Sequence, residues 1–333
     1  MKQHLLIVTL SVLAASLAWH PAQAQLDPHF SQYYVEPMIL NPALTGAMDG
    51  DARVSAVWRS QYNNTLMTDG VSAETVTNKH MNFGFNLLDE STADKSYNYM
   101  NSYVTMAYTG VRFGPQHDHF LVLATSFGVI NRRFDVNKLQ FGSQWLASTG
   151  YDATRPSGET FVKPSASSFD AGVGALYYDA TPNKTVSFFG GVGAYHLTRP
   201  ANPMLSTDGT QPLPIRYSVH AGLRIVENEY FTIVPSAIFM KEGQAEEKMA
   251  GAYVQLYASE DCDVMLGANY RWKDAIVPFV GIYYKGLTCG MSYDVNQSPG
   301  QAVVSNAGSF EVSISYMFQK SAVKTSKLFC PRF

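Results

Sequence analysis

Ten residues near the end of the chain, SFEVSISYMF at 309–318, alternate strictly with a period of two. Phe310, Val312, Ile314, Tyr316 and Phe318 share one side, and Glu311, Ser313 and Ser315 share the other, because successive side chains of a strand point to opposite faces. The arrangement recurs. In DVMLGANYRW the faces are Val264, Leu266, Ala268, Tyr270 and Trp272 against Asp263, Met265, Gly267, Asn269 and Arg271. In RYSVHAGLRI they are Tyr217, Val219, Ala221, Leu223 and Ile225 against Arg216, Ser218, His220, Gly222 and Arg224. Near the front, Ala52, Val54, Ala56 and Trp58 oppose Arg53, Ser55 and Arg59. A charge at the centre of a strand is costly against a packed apolar core and ordinary against a polar lumen. The pattern therefore points to an all-β fold, a transmembrane antiparallel β-barrel, with a secreted β-sandwich or adhesin as the competitor.

Extending the reading predicts strands near 51–59, 71–78, 80–89, 96–114, 117–135, 168–180 and 184–198. The second half adds 216–226, 230–241, 248–259, 263–273, 276–285, 287–296 and 308–318. That is about 14 strands, an even number as in bacterial single-chain barrels. Long connections (136–167, 199–215, 297–307) follow odd-numbered strands, and tight ones such as Asn78-Lys79 and Gly286 follow even-numbered strands. Alternation of long outer loops with short periplasmic turns is the barrel pattern, and it places both termini of the mature chain in the periplasm. A sandwich predicts no such alternation.

The chain begins with a short n-region holding one Lys, an apolar run over 5–19 and an Ala-x-Ala pattern ending at Ala24. The run is about 15 residues, short of the roughly 20 that span a bilayer, so 1–24 reads as a cleaved signal peptide. The net charge of −3 and 15% charged residues make nucleic acid a poor partner, while 20 Tyr and 19 Phe suit a membrane barrel. Cys262, Cys289 and Cys330 are odd in number and lack zinc-type spacing, so no disulfide scaffold, metal or other cofactor is expected. Asp261 and Asp263 beside Cys262 read as a plain turn.

Between signal and first strand lies LDPHFSQYYVEPMILNPALTG, within 25–50. It holds Pro28, Pro37 and Pro42, too many prolines for a helix or a central strand. It reads as an extended plug-like hatch, with Phe30, Tyr33, Tyr34, Met38 and Ile39 packed into the periplasmic mouth and Asn41-Pro42 turning the chain into the first strand. The barrel then occupies 51–318, followed by a basic tail, 319–333, carrying Lys320, Lys324, Lys327 and Arg332 and no acid. The tail is either a periplasmic docking peptide anchored by Phe329 and Phe333 or a solubilising end.

The stretches DPHFSQYY and NPALTG, followed in order by AYHLTRP (194–200), LPIRYSVHAG (213–222), MSYDV (291–295), SNAGSFEVSISY (305–316) and the terminal CPRF (330–333), resemble the PorP/SprF family of type IX secretion and gliding-motility outer-membrane proteins. The first strand departs from the family pattern, with WRSQYNN where YRNQWP is more usual. The resemblance implies a non-enzymatic outer-membrane barrel of a Bacteroidota-type bacterium. Its expected partners are membrane lipid, a surface adhesin recognised through a type B C-terminal domain, and periplasmic or peptidoglycan-associated components of the system. Asp27, Phe30, Ser31, Gln32, Tyr33, Asn41 and Pro42 are candidates for the plug or a partner site, as are Cys330, Pro331 and Phe333 in the tail. Trp145, with Tyr151 and Phe161 in the long loop, either binds a partner or folds inward to narrow the pore.

Three functions compete: adhesin binding and anchoring, a channel or hydrophobic-solute transporter, and an outer-membrane hydrolase. For the last, Arg216, Ser218 and His220 share one face, but neighbours two apart on a strand are separated by about 7 Å, and an adjacent Arg disfavours the imidazolium that a general base must become. These three residues read as lumen lining.

Overall fold

The structure is a computed structural model and describes residues 26–77, 79–146, 149–158, 164–200, 212–259, 261–297 and 308–319. The expected signal peptide and nearly all of the basic tail, including Cys330, Pro331 and Phe333, lie outside the described residues.

The chain forms β1 (Ala52–Gln61), β2 (Leu66–Val76), β3 (Met81–Thr92), β4 (Tyr97–Phe113), β5 (His119–Phe134), the two-residue strands β6 (Trp145–Leu146) and β7 (Gly150–Tyr151), and β8 (Ser165–Asp179). It continues with β9 (Val186–Tyr195), β10 (Arg216–Val226), β11 (Phe231–Glu242), β12 (Ala245–Ser259), β13 (Cys262–Arg271), β14 (Ala275–Tyr284), β15 (Leu287–Asn296) and β16 (Ser309–Phe318). All except β6 and β7 join a closed 14-strand antiparallel barrel. The last strand pairs with the first, from Ala52 opposite Phe318 to Gln61 opposite Ser309, so no edge is left unpaired.

Burial along β16 is inverted relative to a soluble sheet. Glu311, Ser313 and Ser315 are buried, whereas Val312, Ile314 and Tyr316 are exposed. In β1, Arg53 and Arg59 are likewise buried and Val54 and Trp58 exposed. An outer surface of Val, Ile, Leu, Phe and Tyr around the whole barrel is stable only against lipid, and the alternation that produces it is the one read from the sequence.

Connections of different length gather at opposite mouths. One mouth carries the connections 135–164, 196–215 and 297–308, and the other carries tight turns. At the tight mouth, Lys285 (φ 48) and Gly286 (φ 89) form the two-residue link between β14 and β15, a backbone shape that glycine adopts without strain. These ends are called here the loop mouth and the turn mouth. Several boundaries differ from the sequence reading, those of β2 and β9 among them. β2 begins at Leu66, ahead of the expected 71, and β9 stops at Tyr195 where 198 was expected. The second has a local cause, since His196 takes a left-handed φ of 61 and breaks the ladder.

Residues 26–50 lie inside the barrel. Phe30, Tyr34, Val35, Ile39, Leu40, Ala43 and Leu44 form one apolar cluster with wall residues including Val57, Leu88, Ile238, Met240, Met249 and Phe279. The expectation of an extended hatch is corrected here: the segment folds into a helical turn, α1 (Pro37–Leu40), and a 3-10 turn, Pro42–Leu44. Proline at the first position of each turn fits because that N–H needs no helical partner. Asn41 accepts a hydrogen bond from the Ala43 amide at 2.9 Å and caps the second turn.

A candidate site where an inner segment meets the barrel wall

The front of the inner segment lies at the loop mouth. The Asp27 amide donates to Glu242 at 2.8 Å, at the loop end of β11. Its carboxylate accepts from the Tyr99 hydroxyl at 2.7 Å, lies 2.8 Å from His196 Nε2, and is 3.3 Å from Arg132 and 4.0 Å from Arg216. His196 Nδ1 lies 2.8 Å from Asp170, which also accepts from the Tyr103 hydroxyl at 2.6 Å. Burial pushes the Asp27 carboxyl up, but the charge and hydrogen bond of His196, with Arg216 and Arg132, outweigh it and hold Asp27 well below the usual carboxylate range. Burial disfavours a charged His196 ring, and Asp27 and Asp170 overcome it, raising the ring to about 9. Asp27, His196 and Glu242 offer atoms close enough for a cation. Yet both ring nitrogens of His196 are engaged by carboxylates and two guanidiniums neighbour Asp27, so the cluster satisfies itself as an ion network.

A second charged cluster grips the next residues. Arg59 and Arg271 flank Asp294, with Arg59 at 3.0 Å, and Arg59 also reaches Glu311 at 3.1 Å. This quartet is aimed at the segment. Arg59 donates to the His29 carbonyl at 2.9 Å, and Glu311 accepts the Ser31 and Gln32 amides at 2.7 and 2.9 Å. The Ser31 hydroxyl donates to Asp294 at 2.8 Å, and the Ser313 hydroxyl donates to Gln32 Oε1 at 2.8 Å. His29 Nε2 lies 2.9 Å from Glu247, and the hydroxyls of Tyr33 and Ser236 are 2.7 Å apart.

Further along the segment, Arg216 donates to the Ile39 carbonyl at 2.8 Å, Ser218 donates to the Leu40 carbonyl, and Tyr195 donates to the Met38 carbonyl. Asn41 donates to the Ala175 carbonyl at 3.0 Å, and its Nδ2 is 3.1 Å from His220 Nε2. Toward the turn mouth, Asn82 donates to the Thr45 carbonyl at 3.1 Å, and the Gly46 amide donates to Glu74 at 2.5 Å. The wall is also shaped for the segment by glycines. A Cβ at Gly174 would lie 2.1 Å from Asn41 Oδ1, and one at Gly84 would lie 2.3 Å from Met38 Sδ.

A family model of type IX secretion system membrane proteins, PorP/SprF, matches residues 22–316. The chain belongs to the PorP/SprF family. No curated protein matches it significantly. Among solved structures, the Pseudomonas putida toluene transporter TodX is similar in fold, at 9% identity and a TM-score of 0.52 over 86% of this chain and 93% of that one. The Ralstonia pickettii toluene transporter TbuX gives 9% identity and a TM-score of 0.47 over 86% and 94%. The fold and the family together place this PorP/SprF protein in the outer membrane.

Within this family member, Asp27, Phe30, Ser31, Gln32, Tyr33, Asn41 and Pro42 come together with Arg216, Ser218 and His220 inside the barrel. Arg216, Ser218 and His220 meet residues 39–41, whereas Ser31 and Gln32 meet β15 and β16. Trp145 stands apart, 55% exposed on the β6–β7 hairpin, with its ring 5.9 Å from that of Tyr151. Among the described residues, Asp27 lies at the loop mouth and β16 ends at the turn mouth.

Sequence reasoning missed Tyr99, Arg132, Asp170, His196, Glu242 and Glu247. Continued alternation would turn His196 outward with Val192 and Ala194, and only its left-handed backbone swings it inward.

Proposed function

We propose that this protein is a non-enzymatic outer-membrane component of the type IX system that binds an exported adhesin at its loop mouth, through the adhesin's type B C-terminal domain, and helps to export or anchor it. The observation that carries the reading is family membership across nearly the whole chain, joined to a lumen filled by the chain itself. A filled lumen leaves the outer surfaces to do the work. The β6–β7 hairpin supports a docking role: its Trp145–Tyr151 pair is exposed, while buried Gln144 ties the loop together through Phe141, Asp152 and Arg155. Long loops gathered at one mouth support an orientation with that mouth outside and the end of β16 in the periplasm, where the basic tail would meet periplasmic or peptidoglycan-associated components. The hydrolase reading loses support because Ser218 donates to Leu40 and His220 faces Asn41.

The test is binding of the purified barrel, in detergent or nanodiscs, to the soluble C-terminal domain of an adhesin encoded beside it. Binding should be saturable and should fall at least tenfold when 137–163 is replaced by a short Gly-Ser link. Full-strength binding to the loop-replaced barrel would refute docking at this loop, and no binding to the intact barrel would refute the adhesin reading. A solute channel is the second reading, drawn from a fold shared with a toluene transporter. It requires residues 27–46 to leave the lumen, and hydrocarbon uptake by cells expressing the intact chain would favour it.

A further inference from the structure

The wall grips the main chain of the inner segment along its whole length. Side chains of six barrel strands reach its backbone: Glu242 takes the Asp27 amide, Arg59 the His29 carbonyl, Glu311 the Ser31 and Gln32 amides, Arg216 and Ser218 the Ile39 and Leu40 carbonyls, Tyr195 the Met38 carbonyl, and Glu74 the Gly46 amide. Contacts of this kind recognise a polypeptide whatever its side chains. Glycines at 174, 191 and 193 let that backbone lie close: a Cβ on Gly191 would fall 2.6 Å from Asn41 Nδ2, and one on Gly193 would fall 3.0 Å from the Leu40 carbonyl. Side-chain selection is added by the acid at Asp27, by polar wall contacts to His29, Ser31, Gln32, Tyr33 and Asn41, and by the apolar seats of Phe30, Tyr34, Ile39 and Leu40.

We propose that the lumen is a polypeptide-binding site in which residues 27–46 act as a resident ligand, and that it accepts in trans a partner's proline-containing, aromatic-rich segment led by one acidic residue. The resident segment itself defines this occupant. It bears Asp27 at the loop mouth, folds about Pro37 and Pro42, and carries over 27–46 only His29 and Glu36 as further titratable groups besides its tyrosines. Carboxylates that accept main-chain amides, and guanidiniums that donate to carbonyls, form the stronger, charge-assisted class of hydrogen bond. A buried acceptor left unfilled is costly, so an emptied lumen would favour reoccupation by a chain of matching chemistry. Autoinhibition follows, because the site stays closed to partners while its own segment is seated. The proposal is independent of which protein docks at the outer loops.

The test uses the full chain with a protease site inserted between Ala47 and Met48, refolded and then nicked. A labelled synthetic peptide of residues 26–46 is added, and uptake is followed by fluorescence anisotropy. Saturable uptake, competed by unlabelled peptide and absent from the un-nicked barrel, is expected. N-methylation of the Ser31 or Gln32 amide should weaken binding about tenfold or more, beyond the loss from Ser31→Ala or Gln32→Ala at the same position. Should the insertion prevent folding, the un-nicked Asp27→Asn chain, with its segment loosened, provides the same measurement. No uptake by a nicked or loosened barrel that runs as folded on a heat-modifiability gel would overturn the proposal. So would equal uptake of a scrambled peptide, or indifference to N-methylation. Binding of the adhesin domain to the intact chain is scored separately, so either idea can fail alone.

Discussion

Replacing Asp27 by Asn should raise the population of the unlatched inner segment about a hundredfold. Asp27 is 4% exposed, and its carboxylate sits among His196, Tyr99, Arg132 and Arg216. At about 1.4 kcal/mol per pH unit, the rise of His196 from 6.5 to about 9 represents about 3 kcal/mol of preference for the charged ring. Asp170 remains in the variant, so about 2 kcal/mol of this belongs to Asp27. Turning the acceptor of the Tyr99 and Arg132 bonds from charged to neutral removes about 1 kcal/mol more. The sum, about 3 kcal/mol, is roughly two decades in an equilibrium constant. Purified barrel in planar bilayers at pH 7 gives the readout: with the segment seated the lumen conducts little, and each release appears as an opening. The frequency of openings should rise about a hundredfold in Asp27→Asn, with the size of each opening unchanged because the barrel wall is the same. A change of less than about threefold would refute the view that this ion network holds the segment.

The same network sets a pH dependence. Because His196 is raised, its share of the latch is complete below 6.5 and is lost as pH rises through about 9, whereas the lowered Asp27 fails only in strong acid. With Asp170, Tyr99, Tyr103, Arg132, Arg216 and Glu242 as its neighbours, wild-type barrel should open more often between pH 7 and 10, and His196→Gln should flatten that limb of the bilayer record. Gly174→Val should displace Asn41, whose Oδ1 would lie 2.1 Å from a Cβ there, and loosen the segment by about 1–3 kcal/mol, seen as faster protease cutting near residue 47. Asp294→Asn leaves Arg59 and Arg271 without their shared buried carboxylate, and should lower barrel stability by about 3–5 kcal/mol in urea unfolding followed by Trp fluorescence. Trp145→Ser exchanges an exposed ring for a small polar group, and should cost at least tenfold in binding of the adhesin domain with no change in barrel melting.

The strands were legible because lipid outside and a polar lumen inside impose opposite chemistry on alternate residues. Arg216, Ser218 and His220 could be assigned to the inner face by parity alone. Parity reports the side of a sheet and not the distance to a partner, so it was silent on their attachment to Ile39, Leu40 and Asn41. It also misplaces any residue where the ladder breaks, and His196 sits at such a break. Tyr99 and Arg132, three residues or fewer from the loop ends of β4 and β5, look in the sequence like any other lumenal polar positions.

The inner segment shows where composition constrains a structure and where it stops. Pro28, Pro37 and Pro42 rule out a ladder strand, which the structure respects, but they do not fix a direction or a degree of extension. Barrel height supplies what composition lacks. Fully extended, the roughly 20 residues from 27 to 46 would reach about 65 Å, whereas the apolar band of such a barrel is about 25 Å tall. A segment tied at the loop mouth through Asp27 and at the turn mouth through Gly46 must therefore take up its surplus length inside. The turns at 33–35, α1 and the 3-10 turn do so, and two of them start on the prolines that first suggested extension. A segment folded to this length cannot be drawn taut without breaking those turns. Release should thus begin at one mouth and proceed through the lumen, with the ion network at Asp27 or the Glu74 contact at Gly46 as the first bond to give. The comparison of Asp27→Asn with Glu74→Gln in bilayers decides which: the variant with the larger rise in openings marks the mouth from which the segment leaves.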